Sequence, residues 1–168
     1  MTKFDSLCES FKKAQSDFQK FKDGSQYFAD ELWNKMIAYF EIPQSQLSLY
    51  KVDDEGKWEM VPAMMSNALT LEDDNYWQVG FGITLYGQKN EFPQETLIIG
   101  LLLKPEGDNK FKVKLYGHEK LFEIDRNKQE DFNAFYDFIF TEIQTNYQKE
   151  LQTLDEDHTI RKIGYKYD

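Results

Sequence analysis

Residues 97–103 read Leu97-Ile98-Ile99-Gly100-Leu101-Leu102-Leu103. No side chain in this run is polar, and Glu95-Thr96 and Lys104-Pro105 bound it on either side. A short, wholly apolar run held between polar punctuation reads as a strand buried on both faces. Such a strand needs neighbours on each side, and the flanking sequence supplies them.

Upstream, Trp77, Val79, Phe81, Ile83 and Leu85 alternate with Tyr76, Gln78, Gly80, Gly82, Thr84 and Tyr86. The period of two places the first set on one face and the second on the other. Gly80 and Gly82 share a face, so something must approach that backbone closely, either a helix of this chain or a ligand. The helix is the expected occupant, with Gly80 and Gly82 as the floor of a pocket in the other case. Downstream, Glu106-Gly107-Asp108-Asn109 forms a tight turn. Phe111, Val113 and Leu115 then alternate with Lys110, Lys112 and Lys114, as on a sheet edge guarded by lysines. Leu121 to Ile124 closes the meander.

Further out, Leu47–Val52 and Trp58–Val61 flank Asp53-Asp54-Glu55-Gly56, a hairpin with an acidic tip. Residues 63–69 read as a short helix or an irregular crossover, and Leu71-Glu72-Asp73-Asp74-Asn75 as a second acidic turn. At the N-terminus Phe4, Leu7, Cys8, Phe11, Ala14, Phe18 and Phe21 recur at helical spacing up to Asp23-Gly24, where glycine can cap a helix. Cys8 lies on that apolar stripe, which predicts a small core residue. Ser25 is placed to cap a second helix, from about Gln26 to Glu41, stopped by Pro43. Its apolar residues span a wide arc, which predicts contact with two neighbours, the sheet and the first helix. Asn127 and Glu130 are spaced to open a last helix, and Phe132, Phe135, Tyr136, Ile139, Ile143, Tyr147, Leu151 and Leu154 form its stripe.

These elements predict an α+β fold: a single domain over residues 1–154, with an antiparallel sheet of about five to six strands. N-terminal helices and a long C-terminal helix pack against the sheet, and residues 155–168 form a tail. The chain's 168 residues suffice for a core without metals or staples, and its 14 Phe and 10 Tyr supply large buried areas. One cysteine excludes an intramolecular disulfide. The opening residues lack the order of a signal peptide, and no apolar run approaches the ~20 residues that span a bilayer. A cytoplasmic protein without a membrane partner is the expectation.

The formal charge of −10 is unevenly placed. Residues 53–91 hold eight acids against two lysines, whereas residues 1–52 cancel. A field of this sign repels phosphate backbones, so direct nucleic-acid binding is disfavoured and a basic protein partner favoured. Self-association stays open.

No catalytic or metal-ligating motif stands out. His118 and His158 match no metal spacing, no glycine-rich phosphate loop joins a strand to a helix, and no Gly-x-Ser-x-Gly elbow is present. No cofactor is expected. The order of elements resembles that of sensory ligand-binding domains of the PAS and GAF kind. More loosely, order and charge together resemble acidic secretion chaperones. The first resemblance implies a small-molecule sensor; acid–base chemistry by carboxylates is a third reading. The leading expectation is a non-catalytic protein-binding module, such as an adaptor, chaperone, inhibitor or immunity-type protein. Its candidate partner-binding residues are Asp53, Asp54, Glu55, Glu72, Asp73 and Asp74, because turns present side chains to solvent at little structural cost.

Overall fold

The computed structural model describes residues 1–87, 94–150 and 160–163. It opens with helix α1 (Lys3–Phe40), followed by a 3-10 turn at Gln44–Gln46 and the hairpin β1 (Leu47–Val52) and β2 (Trp58–Val61). Helix α2 (Met65–Ala68) and strand β3 (Thr70–Leu71) lead into β4 (Trp77–Tyr86), β5 (Gln94–Pro105), β6 (Lys110–Leu115) and β7 (Phe122–Asp125). Helix α3 (Gln129–Glu150) and strand β8 (Ile160–Ile163) complete the order. The fold is α+β.

Strand β5 is the centre of the sheet, as its apolar run predicts. The order is β2-β1-β4-β5-β6-β7, with β3 added beside β4 and β8 beside β5. β4 and β5 form the longest ladder, from Trp77 opposite Leu103 to Tyr86 opposite Gln94. All pairings are antiparallel except β8 with β5, which is parallel. Residues Ile160–Ile163, predicted to lie in a tail, therefore belong to the sheet. β6 is not an edge: β7 pairs along Lys110–Val113, and its partner strand covers the backbone that lysines were expected to guard.

The core lies on the helix side of the sheet. Val79, Phe81, Leu97, Ile99, Leu101, Leu103, Val113 and Leu115 meet Phe28, Leu32 and Met36 of α1 and Phe132, Phe135, Tyr136 and Ile139 of α3. Phe28 stacks on Phe111 at 3.8 Å between centroids, and Trp33 lies 4.5 Å from Phe81. The wide apolar arc of α1 meets two neighbours, but the second is α3 and not another N-terminal helix. Tyr39 packs on Tyr136, and Phe40 on Phe140. α3 follows a turn ordered by aspartates: Asp125 accepts the Asn127 N–H, and Asp131 reaches back to the Asp125 N–H. The Asn127 and Glu130 capping box has its place taken by these bonds. Leu151 and Leu154 lie outside the described residues.

The two predicted N-terminal helices are one. Gly24 does not end the first, and Ser25 does not cap a second: its buried hydroxyl donates to the Phe21 carbonyl at 2.7 Å, one turn back. That bond satisfies the side chain inside a continuous helix, so its capping role is not called on. A glycine in a helix interior costs about 1 kcal/mol, which the packing of residues 28–36 on the sheet outweighs. The helix ends instead at Glu41, in the left-handed conformation at φ 54°, two residues before Pro43. Residues 1–20 are exposed throughout, and Cys8 is exposed with them rather than in the core. Among the described residues no helix is long and apolar enough to cross a membrane.

Candidate functional site

The register of β4 brings the two acidic turns together. β1 pairs with β4 from Leu47 opposite Ile83 to Tyr50 opposite Gly80. Beyond Gly80 the same edge of β4 pairs with β3, Thr70 opposite Gln78 and Leu71 opposite Trp77. The β1–β2 hairpin must therefore leave β4 after Tyr50, carrying its tip out beside the β3–β4 turn. An open cleft of about 710 Å³ lies between them, lined by Asp53, Asp54, Glu72, Asp73 and Asp74 among others. Five of the six predicted acids meet there. Glu55 is the exception; it points from the hairpin tip into solvent and pairs with Lys57 at 3.5 Å.

The five carboxylates have different duties. Asp53 Oδ1 accepts the backbone N–H groups of Glu55 and Lys57, at 2.9 and 2.8 Å, and so holds the hairpin turn. Asp74 Oδ1 accepts the Tyr76 N–H at 3.0 Å and, with Asn75 at φ 67°, holds the other. Asparagine tolerates this left-handed conformation better than most residues. Asp54, Glu72 and Asp73 make no side-chain hydrogen bond or ion pair with another described residue, which leaves their oxygens to solvent or a ligand. Lys51 is the one base on the rim.

The floor is polar as well. Gln78 is 3% exposed and lines the cleft, yet its Nε2 has no hydrogen-bond partner, and neither does the buried Oγ1 of neighbouring Thr70. Sequence reasoning missed both. Gln78 falls on the period of the second face of β4, so its position was legible, but its burial depends on Thr70, Leu102 and Tyr116 beside it. Beside the acidic turn Lys104 and Lys114 lie over the Tyr76 ring, 5.5 and 5.2 Å from its centroid.

Gly80 and Gly82 do permit a close approach, but by neither a helix nor a ligand. A Cβ on Gly80 would lie 2.9 Å from the Trp58 ring, and one on Gly100 2.8 Å from the same indole. A Cβ on Gly82 would collide with Ser48 Oγ and sit 2.5 Å from Tyr50 Cε2. Trp58 lies across the two strands on a shelf of glycines, with Tyr116 edge-on to it at 6.4 Å. The side chains of β1 and β2 fill the expected pocket.

A second cleft, of about 460 Å³, opens between α1 and β1 and is lined by Trp33, Ile37, Ile42 and Leu47 among others. His118 stands in a turn 3.9 Å from Glu142, and His158 lies outside the described residues. Among the described residues no three His, Cys, Asp or Glu side chains converge as a metal site. Comparison of the chain with protein-family models, with curated proteins and with solved structures finds no match.

Proposed function

We propose that the chain is a non-catalytic protein-binding module whose acidic cleft receives a basic segment of a partner. The observation that carries this reading is the meeting of two acidic turns at one cleft, with Asp54, Glu72 and Asp73 unpaired. Carboxylates grouped with little structural use attract cations from a distance and hold a guanidinium or ammonium group on arrival. The preformed strands β3 and β4 hold the rim, so binding needs little ordering of this protein.

The test is titration of the full chain with labelled peptides rich in Arg and Lys, at low and at physiological ionic strength. Binding that weakens with salt and falls in the Asp54→Asn, Glu72→Gln, Asp73→Asn triple variant supports the cleft. Equal binding by the triple variant, or none at low ionic strength, rejects it.

A second reading, small-molecule sensing, rests on the cleft between α1 and β1. Its volume lies in the ~300–1,000 Å³ range of ligand sites, and its walls are mainly apolar. A screen of small ligands by thermal shift, with Ile42→Ala as control, tests it. No stabilising ligand in that screen counts against this reading alone.

A further inference from the structure

We infer that the chain pairs with a second copy of itself through the projecting half of α1, the two helices running antiparallel. Phe4, Leu7, Phe11, Ala14, Phe18 and Phe21 follow one another by three and four residues in turn, and Ser25, Phe28 and Leu32 continue the series. This is one narrow seam, the a and d positions of a heptad pattern. Its second half is buried against the chain's own sheet, and the changeover comes at Phe21, half-buried with its ring 5.8 Å from Trp77. In the first half Phe4, Leu7, Phe11 and Phe18 stand 71%, 67%, 64% and 50% exposed. Among the described residues nothing covers them.

The seam favours a helix as its cover. A stripe confined to a and d positions fits the groove of another helix, whereas a helix lying in a bilayer surface has a broader apolar face and a strongly basic polar one. Here Lys3, Lys12, Lys13, Lys20 and Lys22 are nearly balanced by Asp5, Glu9, Asp17 and Asp23.

The geometry favours a second copy, and an antiparallel one. From Phe21 onward the sheet occupies the seam face, so a parallel partner would bring its own sheet onto the same place. An antiparallel partner lies along the free half of the seam and reaches the sheet only at its last layer, where Phe21 is still half-exposed. With paired residue numbers summing to 25, Phe4 meets the partner's Phe21, Leu7 the partner's Phe18, and Phe11 the partner's Ala14. The two central layers thus set an aromatic ring against an alanine, which lets the helices interdigitate. At the flanks Asp17 faces the partner's Ser10, Lys3 the partner's Gly24 and Cys8 the partner's Gln15, so like charges do not meet there. A buried Phe covers about 150 Å² or more, so each of the four large side chains has on the order of 100 Å² left to bury. Over two copies, with the polar flanks, the contact reaches the ~1,000 Å² of a specific interface.

Sedimentation of the full chain should show a monomer–dimer equilibrium in the micromolar range. Phe11→Asp should weaken it by about 30-fold or more, as loss of a central aromatic does, while the sheet still melts cooperatively. Phe11→Ala, which keeps helix propensity, should move it the same way. Direction is read by spin-labelling Lys3→Cys in a Cys8→Ser background. An antiparallel pair separates the two labelled backbones by about 30 Å, at ~1.5 Å per residue, and a parallel pair by about 10 Å. A chain monomeric at high micromolar concentration overturns the inference, as does a dimer indifferent to both Phe11 variants or the shorter separation. A monomer that instead co-sediments with vesicles of phosphatidylcholine and phosphatidylserine also overturns it, and assigns the seam to a membrane surface.

Discussion

The hydroxyl of Tyr136 donates to the backbone carbonyl of Leu32 at 2.7 Å, a buried bond between helices 104 residues apart in the chain. It ties α3 to the part of α1 that lies on the sheet, at the centre of an aromatic cluster with Tyr39, Phe40, Phe132 and Phe135. The ring supplies most of the packing and the hydroxyl the orientation. Tyr136→Phe should therefore keep the fold and lose about 1 kcal/mol, the net worth of one such bond, read as a lower denaturation midpoint with an unchanged slope. A variant as stable as wild type would show that the bond orients without stabilising.

The same phenol predicts how the protein responds to alkali. Burial pushes its pKa well above the ordinary value, and the negative charge of Glu31 pushes the same way. In the unfolded chain it ionises near pH 10, so its contribution is complete below that pH and is lost as pH rises beyond it. Stability should fall above about pH 10 in the wild type, and less steeply in Tyr136→Phe. Parallel pH curves for the two proteins would assign the loss to other tyrosines.

Two glycine substitutions should have opposite signs. Gly24 has nothing within 4 Å of an added Cβ and a helical backbone, so Gly24→Ala should stabilise α1 by up to about 1 kcal/mol. Had Gly24 been a left-handed cap, alanine there would destabilise, so the sign of the change in melting temperature separates the two. Gly82→Ala drives a methyl into Ser48 and Tyr50 and should cost about 1–3 kcal/mol, as overpacking does.

Leu101 is fully buried at the centre of β5, opposite Val79 on one side and Leu115 on the other. Leu101→Asp places an unpaired carboxylate there, at a cost of several kcal/mol against a domain stability of about 5–15 kcal/mol. The variant should not fold. A soluble protein with a cooperative thermal transition would contradict the central place of this strand.

Asp54→Asn, Glu72→Gln and Asp73→Asn together should leave the melting temperature nearly unchanged, within about 0.5 kcal/mol, because these carboxylates hold nothing in place. Asp53→Ala and Asp74→Ala should each cost more, since each removes acceptors from turn N–H groups. Chemical denaturation of the three proteins checks the division between carboxylates that build the turns and carboxylates that are free.

Much of this architecture is local in origin, and so was legible. Alternation along Trp77–Leu85, the apolar run of β5, the hairpin around Asp53–Gly56 and the stripe of α3 are properties of residues within a few positions of one another. Period and turn chemistry determine them before any tertiary contact exists. The acids of the site were visible for the same reason, since turns are local and charge is countable. Which turns share a cleft was not. That followed from β1 and β3 dividing one edge of β4, which no short window contains.

The remaining differences share one physical cause. Gly24 and Ser25 carry a helix-ending signal of about a kilocalorie, and the burial of Phe28, Leu32 and Met36 on a distant sheet overrides it. Periodicity showed that Phe4, Cys8 and Phe11 lie on an apolar stripe, but a stripe does not say what covers it. The sheet ends at Phe21, and the first half of the helix stands beyond it. The glycines of β4 likewise announced a close approach, while the identity of the visitor, Trp58, depended on how the hairpin folds over the strand. The sequence by itself determined which faces are apolar and where the chain turns, because those are set by neighbouring residues. Only the tertiary structure decided which of those faces meet, because that depends on residues far apart in the chain competing for the same surface.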